Sequence, residues 1–234
     1  MNCFAGGVSL RGSGHSMNQD SMAYHNYEDG WLLAVSDGLG SRKKSQIGSA
    51  ALCNAAWICA CQSSSEDIFR QPESYVRQVH QEWLSLLEQE RVESIDDCCA
   101  TVLILMIVPG KAIAIQLGDG FIALCADDAV SVLLDDKSEH FINETDCFQE
   151  EFALEPVRYE AVCFESFQGA LLCSDGVEIG DMSRKEVAEF SREFVDSFSG
   201  MHPGKVNYSV GEWLRDWPGA DDKTTVYLLR KGDL

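Results

Sequence analysis

The chain has 234 residues, 45% hydrophobic and 24% charged, with 38 acidic against 18 basic side chains and a formal net charge of −20. That length and apolar share are enough for a sizeable core in one domain, and residues 1–234 read as a single one. The negative field repels phosphate backbones, which argues against nucleic acid as a partner and favours cations or basic protein segments. The longest apolar run, 102–108, is too short for a membrane span. Residues 1–7 have neither a basic n-region nor a long apolar stretch, so no secretory signal is expected. The ten cysteines show no C-x-x-C spacing, and several, such as Cys163 and Cys173, lie in apolar runs. They read as reduced, mostly buried thiols of a cytoplasmic protein rather than a zinc or disulfide framework.

Taken in order, residues 3–10 form a candidate first strand. A polar, glycine-marked loop, Gly12 to Ser21, leads into a short segment at 22–24. The apolar run 31–35 then enters Ser36-Asp37-Gly38-Leu39-Gly40, the pattern of a buried strand ending in a glycine turn. Gly38 lets backbone approach whatever Asp37 holds. The alternative is a plain turn in which Asp37 bonds its own backbone. Residues 47–61 are Ala-rich and read as a buried helix, 63–67 as a polar break, and 73–90 as an amphipathic helix with Tyr75, Val76, Val79, Trp83, Leu86 and Leu87 on one face.

Residues 101–108, 112–117, 121–125 and 130–134 are short apolar runs separated by two- or three-residue turns, which predicts an antiparallel meander. Residues 135–155 read as a long loop and a candidate flap over a cleft. Strands resume at 159–164 and 170–173, the second ending in Ser174-Asp175-Gly176. Ser183-Arg184-Lys185-Glu186 is a capping box, predicting a helix that buries Val187, Phe190, Phe194 and Phe198. A shorter helix is expected over 209–217, and a last strand over 224–229 after Asp221-Asp222-Lys223.

One arrangement recurs. Asp37, Asp119 and Asp175 each follow a strand and precede glycine, Asp221 precedes a strand, and Asp20 sits in a loop before one. Carboxylates gathered at sheet ends repel one another unless a cation neutralises them. All-oxygen ligands suit hard divalent ions such as Mg²⁺ or Mn²⁺, and two such ions with a shared carboxylate activate a water. There is no nucleotide P-loop, no H-E-x-x-H and no G-x-S-x-G. The chemistry that fits is therefore hydrolysis by metal-activated water rather than by a side-chain nucleophile. Aspartates also collect in turns for ordinary reasons.

Asn18-Gln19-Asp20, Val35-Ser36-Asp37-Gly38-Leu39-Gly40, Leu117-Gly118-Asp119-Gly120, Cys173-Ser174-Asp175-Gly176-Val177 and Asp221-Asp222-Lys223-Thr224 occur in the order found in the metal-dependent protein phosphatases of type 2C. The chain resembles that family over nearly its whole length. The Gly12 to Asp20 loop and Asn143-Glu144-Thr145 are similar to a bacterial subgroup. The resemblance implies an α+β fold, an α-β-β-α sandwich of two mainly antiparallel sheets flanked by helices. It implies a serine/threonine protein phosphatase, using two Mn²⁺ or Mg²⁺ ions, that acts on phosphorylated protein substrates opposite a serine/threonine kinase. By the same resemblance Asp37 bridges the ions and the Gly38 carbonyl completes one site. Asp175 and Asp221 serve the first ion, Asp20 the second, and Asp119 joins Asp175 at a third, weaker site.

There are departures. Gln19 stands where a glutamate often precedes Asp20. His15 stands where the family has a phosphate-binding arginine, as a candidate phosphate contact and acid; the alternative is a loop histidine bonded to local backbone. Gly120-Phe121 supplies no arginine, and Asp222 stands where asparagine is common, with Asp221 taken as the ligand and Asp222 as a candidate support behind the ligands. Arg42-Lys43-Lys44 is either a contact for an acidic substrate segment or a solvated helix start. Two rival readings remain: a pseudophosphatase serving as a binding or regulatory module, and a hydrolase of nucleotides or small phosphomonoesters. Metal-dependent turnover of a phosphopeptide separates all three.

Overall fold

The structure, a computed structural model, describes residues 1–134, 146–177 and 182–232. Its strands are β1 (Cys3–Leu10), β2 (Ser21–Tyr27), β3 (Gly30–Ser36), β4 (Val102–Val108), β5 (Lys111–Leu117), β6 (Phe121–Ala126), β7 (Ala129–Leu134), β8 (Arg158–Cys163), β9 (Phe167–Cys173) and β10 (Lys223–Arg230). The helices are α1 (Ser45–Cys61), α2 (Ser65–Arg70), α3 (Pro72–Gln89), α4 (Arg184–Phe198) and α5 (Pro203–Asp216). The strands form two five-stranded sheets, ordered β1-β10-β9-β6-β7 and β2-β3-β4-β5-β8, with every pairing antiparallel. Among the described residues no helix is long and apolar enough to cross a membrane.

Three apolar layers hold these elements together, and alternation along each strand assigns its side chains to them. In β3, Leu33 and Val35 point between the sheets, where they meet Leu103, Leu105, Ile122, Leu172 and Val226. Leu32 and Ala34 point the other way, onto Leu52, Ala56, Val79 and Trp83 of α1 and α3. On the far side, Phe121, Leu171, Tyr227 and Leu229 meet Val187, Phe194, Val206 and Leu214 of α4 and α5. Strands covered on both faces read as unbroken apolar runs, which is why β3 and β4 stood out in the sequence. The sandwich is the expected α-β-β-α architecture.

Three details differ from the sequence reading. The stretch 101–134 is not one meander: β4 pairs with β5 and β6 with β7, but Gly118-Asp119-Gly120 carries the chain from one sheet to the other. Gly118 and Gly120 have φ of +89° and +85°, and a Cβ at Gly118 would lie 2.6 Å from Thr101 Cγ2, so this crossing takes glycine at both positions. The polar break 63–67 contains the start of α2, capped by Ser64, whose side chain accepts from the Asp67 N–H. Helix α5 begins six residues before Ser209, because His202 caps it and Pro203 occupies its first turn. Within 135–155, residues 135–145 lie outside the described residues, and with them Asn143-Glu144-Thr145. Phe148 is fixed: it exchanges backbone hydrogen bonds with Ala100 and is buried against Trp83 and Phe152.

The capping box at Ser183 and Glu186 is present in full, and α4 buries Val187 and Phe194, with Phe190 and Phe198 packed at the edge of that layer. All ten cysteines are free thiols: seven are buried, Cys147 is partly buried, and Cys61 and Cys163 are exposed. Cys163 lies in β8, an edge strand, which accounts for its exposure despite its apolar neighbours.

Candidate functional site

The antiparallel registers bring the aspartates to one rim of the sandwich. The β2–β3 ladder ends with Ser21 opposite Ser36. One further step sets Asp20 opposite Asp37, and the Gly38 N–H donates to the Gln19 carbonyl at 3.2 Å beyond them. In the other sheet Phe121 pairs with Cys173. Beyond that rung Asp119 lies in the Gly-Asp-Gly turn and Asp175 opens a single 3-10 turn, and their carboxylates come together. Thr225 also pairs with Cys173, so the start of β10, with Asp221 and Asp222 just before it, lies beside the Ser174-Asp175 turn. The site thus holds two carboxylate pairs, one from each sheet.

Carboxylate oxygens of Asp37, Asp119 and Asp175 lie within 4.8 Å of one another. Two full charges at that distance repel by about 3–4 kcal/mol at an effective dielectric near 20. Burial pushes the Asp37 carboxyl well above the usual carboxylate range, and the charges of Asp20, Asp175 and Asp119 push it further. Burial also raises Asp20, against the lowering effect of hydrogen bonds from Asp37, Thr224 and Ser174. Without a counter-ion the cluster therefore holds protons at its centre. A hard divalent cation replaces those protons with charge, so the donor set fits one.

The supports of this cluster are specific. Asp37 is fixed through its backbone: its N–H donates to Thr101 Oγ1 at 3.1 Å, and its carbonyl accepts from the Thr101 N–H at 2.8 Å. Ser174 Oγ donates to Asp20 Oδ2 at 2.8 Å and accepts from the Thr224 N–H at 3.0 Å. Asn18 Oδ1 accepts from the Asp20 N–H at 3.0 Å, a local turn that sets the approach to β2. Thr101 and Ser174 were not singled out in the sequence. For Ser174 the neighbouring Asp175 was the available signal; Thr101 lies 64 residues from Asp37 and had none.

His15, Asp221 and Asp222 form a second group, also with ligand atoms within 4.8 Å. Asp222 is 2% exposed, and both of its oxygens are engaged. Oδ1 accepts from the Gly12 N–H at 2.7 Å, and Oδ2 accepts from the Gln19 N–H at 2.7 Å and meets His15 Nδ1 at 3.0 Å. Asp221 Oδ1 lies 3.5 Å from the same nitrogen and accepts from the Asp222 N–H at 2.8 Å, while its side chain is half exposed. The hydrogen bond to Asp222 raises the His15 pKa, and the charges of Asp222, Asp221 and Asp20 add to this against a smaller loss from burial. The ring of His15 is thus bonded to a carboxylate across the fold, while only its main chain joins local backbone.

Gln19 turns away from the carboxylates. Its Nε2 donates to Ser45 Oγ at 2.6 Å, and its carbonyl accepts from Ser49 Oγ at 2.6 Å, tying the loop to the start of α1. Lys44 stands at the N-cap of α1, so Arg42-Lys43-Lys44 is the approach to that helix. Lys43 is exposed and Arg42 partly buried.

A comparison with family profiles matches residues 7–217 to protein phosphatase 2C. A search of the curated proteins found no match. Among solved structures, the chain is similar to the catalytic domain of the serine threonine protein phosphatase PstP in complex with two manganese ions, at 16% identity and a TM-score of 0.70 over 98% of this chain and 99% of that one. It is similar to the serine/threonine phosphatase Stp1 from Staphylococcus aureus at 13% identity and a TM-score of 0.70, covering 97% and 95% of the two chains. PppA of Pseudomonas aeruginosa, described as a key regulatory component of T6SS, matches at 18% identity and a TM-score of 0.69 over 98% of each. At these identities the structural likeness establishes the fold.

Proposed function

The chain belongs to the protein phosphatase 2C family, and from that premise we propose that it is a metal-dependent serine/threonine protein phosphatase whose catalytic domain spans residues 1–234. The observation that supports this reading is the convergence of Asp20, Asp37, Asp119 and Asp175, from both sheets, on one rim. Such a cluster of mutually repelling carboxylates suits cations.

In this reading Asp37 and the Gly38 carbonyl would hold Mn²⁺ or Mg²⁺, with Asp175 and Asp221 for a first ion, Asp20 for a second, and Asp119 with Asp175 for a third. The two manganese ions of the PstP complex are consistent with the first two. When bound, such ions supply an acidified water and positive charge for the phosphoryl oxygens. The chain's own residues do the rest. Asp20 and Asp37, held by Ser174 and Thr101, fix the donor set on rigid strand ends. His15 meets a phosphoryl oxygen and serves as the acid beside the leaving serine or threonine oxygen. The side chain of Gln19 is committed to Ser45, which leaves Asp20 as the acidic group of that loop.

The substrate is a phosphoserine- or phosphothreonine-bearing protein, opposed by a serine/threonine kinase. The ten free thiols favour a reducing, cytoplasmic setting; removal of protein phosphate is a signalling role, and the net charge of −20 disfavours nucleic acid as a partner. Hydrolysis of a phosphothreonine peptide, compared with nucleotides and with and without Mn²⁺, tests the assignment. Turnover of the peptide in preference to nucleotides supports it. Preference for nucleotides makes the protein a small-phosphomonoester hydrolase, and metal binding without turnover makes it a regulatory module.

A further inference from the structure

The buried carboxylate of Asp222 poses a question that the metal-ligand assignment leaves open. A carboxylate with 2% exposure is costly unless its charge is matched. The Gly12 and Gln19 N–H groups satisfy hydrogen bonds but carry no full charge. The side chain that meets this carboxylate is the His15 imidazole, whose Nδ1 lies 3.0 Å from Asp222 Oδ2. The rest of the imidazole then has one orientation. The Gly12–Gly14 loop is packed on residues 220–221: the Gly14 N–H donates to the Ala220 carbonyl at 2.8 Å, and a Cβ on Gly12 would stand 2.3 Å from that same oxygen. With Nδ1 taken, Nε2 lies toward the turn after β3, 3.9 Å from where a Cβ on Gly40 would stand. The ring therefore reaches from the start of β10 in one sheet to the turn after Asp37 in the other.

We infer that Asp222 is a positioning residue that acts through His15: it takes the Nδ1–H and leaves Nε2 as the ring nitrogen offered to a phosphoryl oxygen of the substrate. This rests on the reading of the rim as a phosphoryl-hydrolysing centre. It gives Asp222 a role distinct from that of Asp221, whose carboxylate is half exposed and which would hold an ion in that reading. The pair is one unit. An arginine in place of His15 is a cation without help, and next to Asp222 it is drawn into a fork-shaped ion pair instead of reaching substrate. With asparagine at 222 it is released.

The test is a double-mutant cycle of His15→Arg and Asp222→Asn, read by phosphothreonine-peptide kinetics, by competitive inhibition with inorganic phosphate, by manganese titration, and by nitrogen-15 NMR of the His15 ring in metal-free protein. The expected results are a ring protonated at Nδ1 in the wild type and a change in that signal in Asp222→Asn. KM and the phosphate inhibition constant rise about tenfold in each single variant and return to within about threefold of wild type in the double variant, while kcat falls in both proteins that lack the His15 acid. Manganese stoichiometry is the same in all four proteins. A double variant as impaired as the two singles combined overturns the inference, as does loss of a manganese ion in Asp222→Asn, which makes Asp222 a ligand. If the wild type shows no turnover, the hydrolase reading fails. The Nδ1 signal and Asp222-dependent phosphate binding to the manganese-loaded protein then decide the His15–Asp222 unit separately.

Discussion

Asp20 and Asp37 face each other one step beyond the last rung of the β2–β3 ladder, where Ser21 meets Ser36. Like charges directly opposite on neighbouring strands destabilise a sheet, by up to about 1 kcal/mol. The pair is thus a local conflict between stability and function. Replacing Asp37 by asparagine relieves it. Metal-free Asp37→Asn is expected to melt higher than metal-free wild type by about 2–4 °C, while metal-dependent hydrolysis falls by about a hundredfold or more. Calorimetry of both proteins in chelator, beside activity in Mn²⁺, checks the two halves together. A lower melting temperature in chelator contradicts the conflict.

The same cluster fixes how stability responds to pH. Asp37 and Asp20 are raised in the native state, so the metal-free fold holds protons that the unfolded chain, with aspartates near 3.9, gives up. Their contribution to stability is complete below that unfolded value and is lost as pH rises through the raised values. Metal-free protein should therefore lose melting temperature from acid toward neutral pH more steeply than protein in excess Mn²⁺. Manganese binding should release protons, measurable as a binding heat that varies with the ionisation enthalpy of the buffer. Equal pH slopes with and without metal contradict this.

Ser174 Oγ joins Asp20 to the backbone of Thr224. Ser174→Ala leaves the Asp20 oxygen without that donor. Manganese affinity is expected to fall about tenfold to a hundredfold, with a stability loss of about 1 kcal/mol. A titration that shows wild-type affinity for the variant removes Ser174 from the metal centre.

Gly48 offers the converse case. A Cβ there would stand 1.7 Å from the Cys98 carbonyl oxygen, and the Gly48 carbonyl accepts from Trp83 Nε1 at 3.0 Å. Gly48→Ala forces α1 away from residue 98 and is expected to cost about 1–3 kcal/mol. Chemical denaturation reads the loss, and manganese affinity below the transition should match that of wild type.

Much of this was legible in the sequence because the informative residues sit where pattern is strongest. Asp37 and Asp175 end apolar runs buried on both faces, so both strand and terminus stood out. The capping box at Ser183 fixed the start of α4. The link from β5 to β6 was not legible: a three-residue Gly-Asp-Gly turn suits a hairpin as well as a crossing between sheets. Only the packing of Gly118 against Thr101 decides between them. Helix α5 starts at His202 and Pro203, a weaker cap in sequence than the Ser-x-x-Glu pattern at 209–212 that lies inside it. The pairing of His15 with Asp222 spans 207 residues and leaves no local trace. Nor does any single stretch show that Asp119 and Asp175 come together, since that depends on the pairing of β6 with β9.

The central claim is that the aspartate rim is a metal-dependent phosphatase centre. The most direct measurement is hydrolysis of a phosphothreonine peptide in Mn²⁺, with and without chelator, by wild type and Asp37→Asn. The account predicts turnover by wild type that chelator abolishes and Mn²⁺ restores, and none above background in the variant. Turnover that survives chelator, or an Asp37→Asn protein as active as wild type, contradicts it.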